Sequence, residues 1–169
     1  MTRYVALLRA VNVGGTGKLP MSDLRAMCEA AGFQAVRTYI ASGNAVFDSD
    51  GDEATVKAAL ERALKAFAGK PVSVMIRTGD EIAATLRADP FATRPPNRVA
   101  CIFLDDPPPG DWLGGVAGLK DEEITVVGRE IFVHYPAGQA DTKLKIAAAK
   151  DSTGRNMNTV AKLAEIAAL

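Results

Sequence analysis

The sequence is poor in the residues that build metal centres. It has two cysteines, Cys28 and Cys101, and one histidine, His134. That is too few for a structural zinc site with its usual four ligands. Both cysteines lie in apolar, patterned stretches and read as buried small hydrophobes. Charge of one sign is not in excess: Lys+Arg and Asp+Glu number 20 each. This balance argues against a whole surface built for nucleic acid or an acidic membrane, though a local basic patch is compatible with it. No apolar run approaches the roughly 20 residues that span a bilayer. The N-terminus enters a strand almost at once, without the shape of a signal peptide. The expected setting is therefore the cytoplasm. No nucleophile elbow or zinc helix is present, so no metal and no cofactor is expected.

What is there is an ordinary globular composition, 48% apolar and 24% charged over 169 residues. It suits one domain or two small subdomains. Residues 4–13 are apolar on both faces, as in a central strand. They run into a glycine-rich loop, Gly14-Gly15-Thr16-Gly17-Lys18, and then into a helix from about Pro20. Leu24, Met27, Cys28 and Ala31 give that helix one apolar stripe, and Gly32 ends it. Residues 35–41 and 45–48 read as strands joined at Ser42-Gly43-Asn44. A helix follows, capped around residues 49–52, with Val56, Leu60, Ala63, Leu64 and Phe67 as its buried stripe. Gly69 and Pro71 end it, and residues 72–77 form a fourth strand.

The order β-α-β-β-α-β is the ferredoxin-like arrangement, with two helices on one face of an antiparallel sheet. Thr78 and Glu81 then form a capping box for a short helix ending at Asp89-Pro90. The expected division is 1–90, a ferredoxin-like subdomain, and 91–169, a second α+β subdomain with a C-terminal helix. In the second half, residues 98–104 read as a strand, and 123–127 and 130–135 as a hairpin. Residues 139–150 read as partly helical, with Lys145-Ile146 as an alternative short strand. Residues 152–158 read as a polar loop before a helix capped by Asn156 or Asn158. No closing strand is visible, so this half reads as a degenerate ferredoxin-like unit. The fold class is α+β.

Three groups of residues invite chemistry. The glycine-rich loop resembles a phosphate-binding P-loop, but Asn12 and Leu19 stand where that motif needs Gly and a hydroxyl. An anion-binding nest of backbone N–H groups, helped by Lys18, is the weaker form of the same idea. Second, Arg9, Asn12, Arg37, Asn44, Arg155, Asn156 and Asn158 are polar residues where packing alone does not select them. They fit either an internal network between the halves or a ligand site, since the guanidinium fork suits carboxylate and phosphate alike. Third, Tyr4, Tyr39 and Phe47 would serve an RNA-binding sheet, but residues 44–48 do not match the RNA-recognition pattern. His134 on an apolar strand reads as a packing residue. Asp105-Asp106 reads as a solvated loop.

The stretches Val5-Ala6-Leu7-Leu8-Arg9-Ala10-Val11-Asn12-Val13-Gly14-Gly15, Leu24-Arg25, Gly32-Phe33, residues 36–47 and residues 155–163 together resemble the bacterial domain-of-unknown-function 1697 family. The resemblance runs end to end and is most specific in the first fifty residues. It departs at Ala10, where the family more often has Gly, and at Met157, where Trp is common. It implies an α+β fold of two ferredoxin-like subdomains and implies no reaction.

The functional expectation is a binding module for a small anionic ligand, phosphate-bearing or nucleotide-like. Its site residues would be Arg9, Asn12, Gly14, Gly15, Lys18, Arg37, Asn44, Arg155 and Asn156. The alternative is a protein-interaction or oligomerisation module whose sheet edges or faces bind a partner, a homo-oligomer being one form of it. An enzyme or RNA-binding protein ranks lower, and the sequence leaves enzymatic activity open. Neither nucleic acid nor a membrane is an expected partner.

Overall fold

The first strand, β1 (Thr2–Leu8), is buried from Tyr4 onward on both of its faces. Such a strand can only lie inside a sheet. The computed structural model of the protein describes residues 1–13 and 17–169. The expected loop residues Gly14, Gly15 and Thr16 lie outside the described residues. By its internal contacts the chain divides into two units. Unit 1 holds residues 1–83 and 163–169, and unit 2 holds residues 84–162.

In unit 1, β1 is followed by α1 (Met21–Ala30), β2 (Gln34–Thr38), β3 (Asn44–Ser49), α2 (Glu53–Ala68) and β4 (Val74–Thr78). The sheet order is β2-β3-β1-β4 with antiparallel neighbours throughout. This is the ferredoxin-like order. Alternation splits β1 in two: Tyr4, Ala6 and Leu8 join Leu24 and Cys28 of α1 and Val56, Leu60 and Leu64 of α2 in one core. Phe33 stacks on Phe47 with ring centroids 4.3 Å apart. Tyr4 and Phe47 are thus core residues on the helix side, and the Tyr4 hydroxyl donates to the Gly51 carbonyl at 2.8 Å. The helix ends follow the sequence signals. Asp52 caps α2 by accepting from the Thr55 N–H at 2.8 Å, and Gly69 closes it with φ +73°.

Several local expectations fail in unit 1: Ala31, expected in the stripe of α1, is exposed just past its end, and β2 stops at Thr38 rather than running to residue 41. β1 stops at Leu8 and does not continue to residue 13. Ala10 and Asn12 adopt φ of +53° and +57°, a left-handed conformation that no strand continues through. Arg9 therefore stands outside the strand, exposed. Phe67, expected in the buried stripe of α2, is 47% exposed. It lines a cavity at the end of α2 and is not among the residues of the core.

The helix α3 (Gly79–Arg87) starts on the expected capping box. The Glu81 carboxylate accepts from the Thr78 N–H at 2.8 Å, and the Thr78 hydroxyl accepts from the Glu81 N–H at 3.1 Å. The boundary between units falls within α3. Unit 2 then contains β5 (Val99–Phe103), β6 (Val116–Ala117), β7 (Glu123–Val127), β8 (Glu130–His134), β9 (Lys145–Ile146) and β10 (Thr153–Asn156), before α4 (Met157–Ala167). Its main sheet has the order β10-β5-β8-β7, again antiparallel. With its four strands numbered in chain order, this sheet has the strand order of the first.

The closing strand that the sequence did not show is β10. Residues 152–158 are not a polar loop: Thr153 and Arg155 are buried and Gly154 and Asn156 exposed, the alternation of a strand. The inward residues are polar and satisfy each other, with Arg155 Nη1 donating to the Thr153 hydroxyl at 2.6 Å and to the Gly154 carbonyl at 2.9 Å. A scan for apolar residues passes over such a strand. Residues 139–150 are not an α-helix either. They supply β9, paired with β6, and a single 3₁₀ turn at Ala147–Ala149. These short pieces cover the face that helices cover in unit 1. Trp112, Val116, Leu144 and Ile146 pack there on Ala100, Ile131 and Val133. The fold is α+β.

Candidate functional site

The loop after β1 is held at both ends by one side chain. Asn12 Nδ2 donates to the carbonyls of Leu19 and Ala41, each at 2.8 Å, and Asn12 Oδ1 accepts from the Leu19 N–H at 2.6 Å. The loop's exit is thereby fixed to its entry and to the β2–β3 turn. That turn is itself tight. Gly43 has φ +92°, and a Cβ there would lie 2.7 Å from Val11 Cγ2 and 2.9 Å from Leu8 Cβ. Only glycine meets both demands. Ile40, in the same turn, carries φ +50°. Ala10, where the resembled family favours Gly, stands in the conformation that Gly adopts without strain.

Beside this loop lies a cavity of about 360 Å³. It is lined by residues 9–11 and 17–19, by Leu64, Phe67 and Ala68 at the end of α2, and by residues 70–72. The Arg9 N–H donates to the Ser73 carbonyl at 2.9 Å, which sets the start of the loop against the segment entering β4. Arg9, Lys18 and Lys70 bring positive charge to this cavity, and its described lining residues include no Asp, Glu, His or Cys. Val11, Leu19, Leu64 and Phe67 form an apolar wall. The C-terminal end of α2 adds a dipole equivalent to only about half a negative charge. The basic side chains outweigh it, so the described lining carries net positive charge.

The expected site residues do not all meet here. Arg9 and Lys18 do; Asn12 supports the loop, its amide engaged by the three hydrogen bonds above. Gly14 and Gly15 lie outside the described residues. Arg37 is exposed on the edge strand β2, beside a shallow hollow with Arg25 and Glu29. Asn44 is buried and donates to the Tyr39 carbonyl at 2.9 Å and to the Ser42 hydroxyl at 3.1 Å, bracing the hairpin. Arg155 and Asn156 belong to unit 2, where they line a hollow of about 290 Å³ with Tyr135 and Gln139. Burial pushes the Arg155 guanidinium down to about 10, so it stays charged at neutral pH. Asn156 caps α4, accepting from the Thr159 N–H at 2.9 Å. Sequence reasoning missed Lys70 and misassigned Phe67. The available signal was Gly69-Lys70-Pro71, which stops α2 and leaves Lys70 next to its end.

Other reactive groups are placed for packing. His134 is buried, its Nδ1 3.1 Å from a Glu123 carboxylate oxygen and its ring 5.8 Å from that of Phe91. Burial pushes the Cys28 thiol up to about 12, which keeps it protonated and unreactive. Among the described residues, no cluster of His, Cys, Asp and Glu is placed to hold a metal ion. No helix is long and apolar enough to cross a membrane among the described residues.

Two antiparallel sheets of one strand order, the first bearing a basic pocket, define an α+β protein of two ferredoxin-like units. Within that class, the chain belongs to the family described as protein of unknown function (DUF1697), whose sequence profile matches residues 1–132. A solved structure described as the conserved bacterial protein SP0830 from Streptococcus pneumoniae is similar. It is 26% identical with a TM-score of 0.79, and the match covers 98% of this chain and 98% of that one. No curated protein matches the chain.

Proposed function

We propose that the unit 1 pocket binds a small anionic ligand of the phosphate-bearing or nucleotide-like kind. The observation that carries this is the meeting of Arg9, Lys18 and Lys70 around one cavity of about 360 Å³ with no carboxylate among its described lining residues. That volume is at the lower end of the roughly 300–1,000 Å³ of small-molecule sites. It suits a metabolite better than a macromolecule. Asn12 joins the two ends of the segment that carries Arg9 and Lys18, and fixed ends lower the ordering cost of binding. The reading assigns binding and no reaction. The setting we infer is the cytoplasm, which suits two buried, unbridged cysteines.

The test is a thermal-shift screen against nucleotides, phosphorylated metabolites and dicarboxylates. A ligand at about a hundred times its Kd adds about 2.7 kcal/mol, which moves the midpoint of a chain this long by roughly 5–10 °C. Arg9→Ala and Lys70→Ala each remove most of that shift and leave the ligand-free midpoint in place, since both side chains are exposed. Added salt weakens the shift by screening. A well-folded sample whose midpoint no anion moves would overturn the reading.

A further inference from the structure

We infer that the ligand of this pocket is an aryl anion, its charged group at Arg9, Lys18 and Lys70 and its ring on Phe67. The inference rests on the anion reading and goes beyond it by naming the body of the ligand. A free phosphate would use the cations and leave the apolar wall of Val11, Leu19, Leu64 and Phe67 against water. The wall is a feature to be explained. Phe67 stands 47% exposed at the last turn of a helix whose stripe residues Val56, Leu60 and Leu64 are buried and Ala63 partly buried. Phe67 lines the same cavity as the basic groups, with Pro71 as a second rigid, apolar surface. A planar ring laid on Phe67 gains stacking in addition to burial of area, whereas an alkyl chain gains the area alone.

The test compares three probes by calorimetry: 1-naphthyl phosphate, n-hexyl phosphate and inorganic phosphate. The protein is the full chain, as wild type, Phe67→Leu and the double variant Arg9→Gln/Lys70→Gln. All three substituted side chains are exposed, and a thermal melt of each variant checks that it folds. The expected result is naphthyl phosphate binding at least tenfold more tightly than either other probe. Phe67→Leu keeps an apolar group but loses the ring. It is expected to weaken naphthyl phosphate by roughly tenfold, the scale of one good aromatic pair, and to leave inorganic phosphate unchanged. Equal binding of the naphthyl and hexyl esters, or an unaffected Phe67→Leu, would overturn the aryl inference while the anion reading stands. Failure of all three probes to bind, or full naphthyl phosphate binding by the double variant, would overturn both.

Discussion

The Asn12 amide bonds to backbone on both sides, joining Leu19 and Ala41. At the residue scale this explains an Asn with φ +57°, since Asn tolerates the left-handed region better than most side chains. Ile40 does not have that tolerance. It is β-branched, 45% exposed, and held at φ +50° in the turn whose Ala41 carbonyl Asn12 grips. A left-handed non-glycine residue costs on the order of 1–2 kcal/mol. Ile40→Asn is therefore expected to stabilise the protein by about 1 kcal/mol, raising the melting midpoint by roughly 2–4 °C. A lowered midpoint would show that the branched side chain contributes more packing than its backbone strain removes. Asn12 was legible in the sequence as a polar residue in an apolar setting. Its role was not, because its partners are carbonyls, and every residue has one.

At the scale of elements, punctuation was legible and periodicity only partly so. Asp52, Gly69 and the Thr78–Glu81 box act where the sequence placed them, because capping chemistry depends on residues three or four apart. Thr78→Ala removes the hydroxyl that accepts from the Glu81 N–H. It is expected to lower stability by about 1 kcal/mol, read as a lower urea midpoint at unchanged slope. A change in slope instead would mean that α3 unfolds separately. The missed features have opposite causes. β10 hides because Thr153 and Arg155 point inward and are satisfied by hydrogen bonds, a pattern with no apolar signal. Phe67 misleads the opposite way: it fits the stripe of α2 by spacing, yet it stands exposed and outside the core.

Across the whole molecule, two sheets of one strand order are built from different covering layers, α1 and α2 on the first and β6, β9 and short turns on the second. Their stabilities share an acid limit. The Arg3 guanidinium donates to Asp48 and holds that carboxyl below its ordinary range. The Thr55 hydrogen bond does the same for Asp52, and in unit 2 the Lys120 N–H for Glu122. A folded-state pKa below the unfolded one contributes stability that is fully present above the unfolded value and lost as pH falls through the folded value. The stability of both units is therefore expected to hold above about pH 5 and to decline below about pH 4. Arg3→Met should flatten that decline. Urea midpoints measured from pH 7 to pH 2 check it, and an identical acid limb in the variant would remove Arg3 from the account. The sequence by itself determined the α+β class, the β-α-β-β-α-β order of the first half, the helix ends and the basic loop after β1, because each is written in local spacing and side-chain chemistry. Only the tertiary structure decided that β10 closes the second sheet, that Arg9 leaves the strand, and that Lys70 and Phe67 share a cavity with Arg9 and Lys18. Those facts depend on which backbone lies opposite which, and such pairings join residues tens of positions apart that no local pattern connects.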